Sequence, residues 1–285
     1  MILKDFRVFF RNALSEIYPA TEIDSFFFLL IEEYLGLERI DTVLKPDFKI
    51  DEDKLSMLKN CIKKLQKEEP IQYIIGKTEF YGLPFYVDKN TLIPRPETEE
   101  LVAWIIEEVV GFKNKKQLSI LDIGTGSGCI PISLASNLSE SSITAIDVST
   151  EAINIAKKNA DLNKVNVNFI NANILRTPKL FKNFDVIVSN PPYVRELEKV
   201  EIQNNVLENE PHLALFVSND NPLIFYDKIA DLAKKHLTKN GVLFFEINEY
   251  LATETLEMLK AKGFNKTELR KDLFGKNRMI KAKLK

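Results

Sequence analysis

Histidine and cysteine are nearly missing from this chain of 285 residues, with two of each. Cys61 and Cys129 stand far apart with no Cys-x-x-Cys spacing, and His212 and His236 form no ligand pattern with them, so no metal site is expected. His212, beside Pro211, reads as a surface residue. No secretory leader is visible near Met1, and with so little cysteine a reducing cytoplasm is expected. Long apolar runs are also absent. None approaches the roughly 18 residues of a membrane span, and the longest, Phe26 to Ile31, stops at Glu32 and Glu33 and reads as a core helix, with Phe26 to Phe28 inside. Nor is there an excess of positive charge: 39 basic against 41 acidic side chains leave a net charge of -2. Binding to nucleic acid through phosphate neutralisation is therefore not expected. The tail Lys281-Ala282-Lys283-Leu284-Lys285 is a local basic stretch that reads as a solvated terminus. What remains, 45% hydrophobic and 28% charged residues, is ordinary globular composition, and the length points to two domains.

The first 70 residues read as helical. Thr21 with Asp24 resembles a capping box, Ile23, Phe27, Leu30, Ile31 and Tyr34 follow helical spacing, and Gly36 suits the stop. Leu55, Leu58, Ile62 and Leu65 mark another helix before Pro70. Residues 1–76 are thus expected to form a small helical bundle. Residues 77–96 read as a hairpin connector between Phe80-Tyr81 and Phe85-Tyr86-Val87, broken by Gly82, Pro84, Asn90, Pro94 and Pro96. A helix starts near Glu97 with Leu101, Val102, Trp104, Ile105 and Val109 on its apolar side. Arg95, Glu97 and Thr98 either line the rim of a crevice or cap this helix, and for Glu97 and Thr98 capping is the preferred reading.

Beyond Lys116 apolar runs alternate with helical stretches: Leu118 to Ile123, a helix from Cys129, Ile143 to Asp147, a helix from Thr150, Val165 to Ile170, Phe184 to Ser189, and Val242 to Ile247. Such alternation implies an α/β fold, a doubly wound, mostly parallel sheet. Asn265 to Arg270 and Arg278 to Leu284 lie too close for a crossover helix, so a terminal antiparallel hairpin is expected.

Gly124-Thr125-Gly126-Ser127-Gly128 follows the first of these strands and opens a helix. Glycines there let the main chain turn sharply and a ligand approach it. Asp147, 19 residues after Gly128 at the end of the next strand, suits paired ribose hydroxyls. Tight packing of helix on sheet without a ligand is the plainer alternative. A pyrophosphate-bearing dinucleotide usually takes G-x-G-x-x-G, whereas G-x-G-x-G here favours S-adenosylmethionine.

Asn190-Pro191-Pro192-Tyr193 follows the apolar run ending at Ser189, at the tip of a buried strand. The prolines lack N–H groups and stiffen the loop. The Asn190 side-chain oxygen and the Pro191 carbonyl are two acceptors suited to a planar –NH2 group, with the Tyr193 ring placed to stack on its face. An amide or an exocyclic base amine fits; a plain Asn-Pro turn is the alternative. The first and fourth strands of a doubly wound sheet flank the switch point, so both loops open into one crevice. A methyl donor beside an amine-gripping pocket makes a methyltransferase.

Over most of its length the chain resembles the release-factor glutamine N5-methyltransferases of the HemK/PrmC type. The resemblance runs through Glu69-Pro70-Ile71-Gln72-Tyr73-Ile74-Ile75-Gly76, Phe80-Tyr81-Gly82, Leu92-Ile93-Pro94-Arg95-Pro96-Glu97-Thr98-Glu99, the glycine loop, Asn190 to Tyr193, Glu210-Pro211 with Ala214-Leu215, and Lys271-Asp272-Leu273-Phe274-Gly275 with Arg278. It implies a class I S-adenosylmethionine-dependent methyltransferase domain over 97–285 behind an all-α substrate-docking domain. It also implies a monomeric enzyme modifying a glutamine of peptide chain release factors, with no membrane or direct nucleic-acid partner. Asn190, Pro191, Pro192 and Tyr193 would form the catalytic grip. Gly124, Thr125, Gly126, Ser127, Gly128, Asp147, Asn173, Ile174 and Asn190 would hold the cofactor. Asn173 stands where that family usually has aspartate near the adenine, and Glu246-Ile247-Asn248 with Tyr250 where it more often has Gly and Gln. Methylation of adenine N6 or cytosine N4 and a non-catalytic release-factor adaptor are the competing readings.

Overall fold

The computed structural model describes residues 1–110 and 117–284; Lys116 and the last tail residue, Lys285, lie outside them. The chain divides into two compact units, Met1–Gly76 with Gln203–Asn209, and Lys77–Ile202 with Glu210–Lys285.

The first unit holds α1 (Leu3–Leu14), α2 (Ala20–Leu35), α3 (Asp41–Leu44), α4 (Glu52–Leu65) and α5 (Ile71–Ile75). Leu3, Phe6, Phe10 and Leu14 recur every three to four residues, so α1 turns one apolar stripe onto Phe27 and Leu30 of α2 and Leu58, Ile62 and Leu65 of α4. Phe27 is in this core, while Phe26 and Phe28 are half-buried at its edge. The guanidinium groups of Arg7 and Arg39 lie over Phe28. α2 starts one residue before Thr21, after Pro19 in extended conformation, without a side-chain cap. Asp24 does not close the expected capping box. It accepts instead from Arg7 and Arg11 at 3.2 and 2.8 Å, because charge-assisted bonds outcompete a cap to a neutral amide. Gly36, at φ +67°, ends the helix as expected.

The second unit opens on a hairpin, β1 (Lys77–Phe80) and β2 (Leu83–Tyr86). Tyr81 and Gly82 both have positive φ, 52° and 72°, the signature of a two-residue type I′ turn. Tyr81 therefore sits in the turn rather than in the strand. There follow α6 (Pro96–Val109), β3 (Leu118–Ile123), α7 (Cys129–Asn137), β4 (Ser141–Asp147), α8 (Thr150–Leu162), β5 (Asn168–Asn171), β6 (Phe184–Ser189) and β7 (Val194–Arg195). After α9 (Asn204–Asn209), which belongs to the first unit, come α10 (His212–Leu215), β8 (Phe216–Val217), α11 (Ile224–His236), β9 (Leu237–Glu246), α12 (Ala252–Ala261), β10 (Lys266–Lys271) and β11 (Asn277–Lys283).

Seven of the strands form one sheet in the order β10-β11-β9-β6-β3-β4-β5, while β1 pairs with β2 and β7 with β8 apart from it. β3 pairs in parallel with both β4 and β6, and β11 runs antiparallel to β9 and β10. The parallel strands are nearly continuous apolar runs because both faces are covered. Val186, Val188, Val242 and Phe244 pack on one side with Leu101, Trp104 and Ile130 of α6 and α7. Ile187, Leu243 and Phe245, one residue out of phase, pack on the other with Tyr226 and Ile229 of α11 and Leu259 of α12. β3 and β6 lie side by side at the centre, so their C-terminal loops open at the switch point, where doubly wound sheets bind ligands.

Candidate active site

Gly124 and Gly128 sit at φ +80° and +83°, a backbone only glycine adopts without strain. A Cβ on Gly124 would lie 3.8 Å from the Asn190 carbonyl oxygen, which places the two loops against each other. The glycine loop is fastened to the end of β4: Gly124 and Thr125 donate their backbone N–H groups to the Ile146 carbonyl at 2.8 and 3.1 Å. Asp147 accepts from the amides of Gly126 at 2.8 Å and Ser149 at 2.9 Å. Its carboxylate therefore anchors the loop in addition to facing the cavity, and burial raises its pKa.

Asn190 extends from the end of β6, where Ser189 fixes the strand by donating to the Ile123 carbonyl at 2.6 Å. Its Nδ2 donates to Thr98 Oγ1 at 3.3 Å, and Thr98 in turn donates to Glu246 Oε2 at 2.6 Å. Thr98 and Glu246 are buried at 2% and 0% exposure. Thr98 thus does not cap α6, as its position suggested; α6 starts on Pro96 with no side-chain cap. Tyr193 also departs from expectation. It is absent from the cavity lining, and its hydroxyl donates to Glu246 Oε1 at 3.2 Å, drawn inward by that buried carboxylate. Asn248 donates to the Tyr193 carbonyl and to Glu198 Oε2 at 3.0 and 2.9 Å. It braces the same loop.

A cavity of about 320 Å³ lies between these loops. Gly124 to Ser127, Asp147, Asn173, Ile174, Asn190, Pro191 and Pro192 line it, while Gly128 turns the chain into α7 behind the wall. Leu92, Pro94, Arg95 and Thr98 contribute from the segment before α6, and Pro211, Leu213 and Ala214 from beyond α9. The first of these segments is held by Glu210, buried at 3% exposure, which accepts from the Ile93 amide at 3.2 Å and pairs with Arg95 at 2.5 Å. The apolar strand pattern gave no hint of Glu210 or Asn159, another buried polar residue. A lone acid inside the apolar run Val242 to Ile247 is the signal the strand pattern offers for Glu246.

The polar groups present fit S-adenosylmethionine. Thr125 and Ser127, both lining residues, are buried, and the Asp122 carboxylate lies behind them, outside the lining, with Thr125 as its neighbour. Burial pushes the Asp122 carboxyl up to about 7, countered by Thr125 and reinforced by the Asp147 charge. Hydroxyls in the wall with a buried carboxylate behind them suit a ligand carrying positive charge and donors. At Asn173 the side-chain oxygen accepts from the Leu175 amide at 2.9 Å, capping the short helix Ile174–Arg176. Its role as an acceptor is partly committed to the protein itself.

The hMettl16 catalytic domain, in complex with a 3′UTR hairpin, shares the fold at TM-score 0.56 and 17% identity, covering 84% of each chain. The T. thermophilus 16S rRNA N2 methyltransferase RsmC, in complex with AdoMet and guanosine, does so at 0.51 and 16%, over 73% of this chain and 50% of that one. Residues 109–215 match the methyltransferase small domain model and residues 8–76 the PrmC N-terminal domain model. Fold and cavity together define a class I methyltransferase whose cofactor is S-adenosylmethionine. The release factor glutamine methyltransferase of Flavobacterium psychrophilum is 55% identical over 282 residues, 99% of either chain. That of Bacteroides thetaiotaomicron is 42% identical over 275 residues, 96% of this chain and 97% of the other. The chain belongs to the release factor glutamine methyltransferase family.

Proposed function

We propose that this protein methylates N5 of a glutamine side chain in a peptide chain release factor, with Asn190 and the Pro191 carbonyl as the acceptors that hold the amide. One observation carries this reading: Asn190 spends its Nδ2 on Thr98, so among the described residues its Oδ1 is the end without a partner, beside a cavity shared with the glycine loop. Bound in that cavity, S-adenosylmethionine would supply an electrophilic methyl group. Gly124 to Ser127, Asp147, Asn173 and Ile174 would hold it, with Gly128 shaping the turn behind them.

An amide nitrogen is a poor nucleophile because its lone pair is delocalised. The task of Asn190 and Pro191 is to orient that nitrogen and stabilise charge developing on it. Orientation alone is worth about 7 to 11 kcal/mol in favourable cases. Pro192 keeps the loop stiff. No general base is assigned. Tyr193 supports the grip through Glu246 instead of stacking on the substrate.

Residues 1–76 serve in this reading as the docking module, 77–96 as connector and 97–285 as the transfer domain. We infer a monomer, acting in the cytoplasm where translation terminates. The net charge of -2 argues against nucleic acid as the direct substrate. Among the described residues no helix is long and apolar enough to cross a membrane.

Methyl incorporation measured side by side on release factor, DNA and RNA tests the proposal. Label is expected on the release factor alone, at a glutamine. Asn190→Ala should cut it by about a hundredfold or more while S-adenosylhomocysteine still binds; label in nucleic acid, or turnover near wild type in the variant, would refute it.

A further inference from the structure

A carboxamide can present either its oxygen or its NH2, and only the oxygen accepts from a substrate amine. Something must fix which end of Asn190 faces the cavity. We propose that Glu246 and Thr98 set this orientation, Glu246 ending a hydroxyl relay that turns Asn190 Oδ1 toward the substrate amide. The inference rests on Asn190 being the substrate acceptor and adds how it is made so.

The order of the relay follows from counting protons. Thr98 has one hydroxyl proton, and an ionised carboxylate can only accept. At 2.6 Å from Glu246 Oε2 that proton points to the carboxylate. The Thr98 lone pairs are then left for Asn190, and only its NH2 can serve them, as the 3.3 Å contact from Nδ2 records. The second carboxylate oxygen takes the Tyr193 hydroxyl at 3.2 Å. While Glu246 is ionised, both of its oxygens receive hydroxyl donors and the chain runs in this one direction. The backbone is held as well, with the Tyr226 hydroxyl donating to the Glu246 carbonyl at 3.1 Å.

Glu246 is absent from the cavity lining and fully buried, so it acts through Thr98 as a positioning residue. A buried carboxylate met only by hydroxyls is costly to the fold. Burial and the charge of Glu97 push its pKa up to about 7 against Thr98, Arg278 and Tyr193, with Tyr226 and Cys129 the other titratable groups beside it. A protonated Glu246 would have its own proton to place on Thr98. Thr98 would then donate to Asn190 and draw the Oδ1 end away from the cavity.

Glu246→Gln removes the charge that fixes the direction of the relay. With its NH2 facing Thr98, Thr98 becomes the donor to Asn190. We expect kcat to fall by about a hundredfold, the scale for one misaimed polar group in a transition state. KM for the release factor and the affinity for S-adenosylhomocysteine should change less than about threefold, since neither ligand touches Glu246. Thr98→Val should lose activity likewise, and Thr98→Ser should recover most of that loss because the relay needs only the hydroxyl. As a readout independent of turnover, the Asn190 side-chain NH2 resonances, assigned by their absence in Asn190→Asp, should show a through-space contact to the Thr98 side chain that Glu246→Gln abolishes.

In an Asn190→Ala background, Glu246→Gln should have no further effect on transfer. If Asn190→Ala is inactive while folded Thr98→Val turns over normally, the relay is wrong and the grip stands. If Asn190→Ala itself stays active, the grip is wrong. Should Glu246→Gln fail to fold, equal activity of Thr98→Val and Thr98→Ser would overturn the relay.

Discussion

Asn159 treats the backbone of Tyr86, 73 residues earlier, as a strand would: its Oδ1 accepts the Tyr86 N–H at 2.7 Å and its Nδ2 donates to the Tyr86 carbonyl at 3.0 Å. The same Nδ2 also donates to the Ser127 carbonyl at 2.8 Å. One fully buried side chain on α8 thus ties the hairpin β1–β2 to the glycine loop. Asn159→Ala should therefore cost about 3 kcal/mol, since it leaves buried backbone groups without partners. Cofactor affinity should fall with it, because Ser127 is freed. Denaturant unfolding and S-adenosylhomocysteine titration measure both; loss of stability with unchanged affinity would show that Ser127 does not depend on this bond.

Asp122 should make the ligand-free protein less stable as pH rises. Its folded pKa is pushed up to about 7, so its proton is held more tightly in the folded than in the unfolded chain. The stability it contributes is fully present below the unfolded carboxylate range, near pH 4, and is lost as pH rises through about 7. Asp122→Asn removes this dependence. The stability of the variant relative to wild type should therefore improve by about 2 to 4 kcal/mol between pH 4 and 8.5. Urea unfolding across that range checks it, and a constant difference between the two proteins would contradict it.

Cofactor binding should release a proton from the same group. Asp122 lies behind Ile123 and Thr125 of the cavity lining, so positive charge brought into that cavity favours its ionised form and lowers the raised pKa. At pH 7, titration of S-adenosylmethionine in buffers of different ionisation enthalpy should show net proton release of up to about half an equivalent, and affinity should rise from pH 6 to 8. Both effects should vanish in Asp122→Asn. Proton release unchanged in that variant would assign it to another group, Asp147 being the next candidate.

The sheet and both loops were legible in the sequence because their signals are local. Leu118 to Ile123 and Phe184 to Ser189 are uninterrupted apolar runs, and the strands take those bounds. Gly124 to Gly128 and Asn190 to Pro192 follow them directly, and adjacency of β3 and β6 brings them into one cavity. Orientation within the site was not legible, because it is set across long separations. Thr98 stands 148 residues from Glu246 and 92 from Asn190. At the start of a helix, a threonine looks like a cap whether or not it is one. From the sequence, the Tyr193 ring beside two prolines reads as a stacking surface; the buried acid that turns it inward arrives 53 residues later.

Gly126 and Gly128 should fail in different ways, although both have positive φ, 55° and 83°. A Cβ on Gly126 meets no atom within 4 Å, whereas one on Gly128 would lie 2.9 Å from Ile132 Cδ1 and 3.1 Å from Ala156 Cβ. Gly128→Ala therefore combines backbone strain with a collision between α7 and α8, and should cost about 3 kcal/mol or more. Gly126→Ala carries the strain alone, about 1 to 2 kcal/mol, but its methyl group would stand in the loop that lines the cofactor cavity. The first variant should be unstable yet recover affinity when assayed well below its melting point. The second should fold and bind S-adenosylhomocysteine at least tenfold more weakly. Melting temperatures and binding constants measured on the pair decide this; equal stability of the two variants would mean that helix packing does not restrict Gly128.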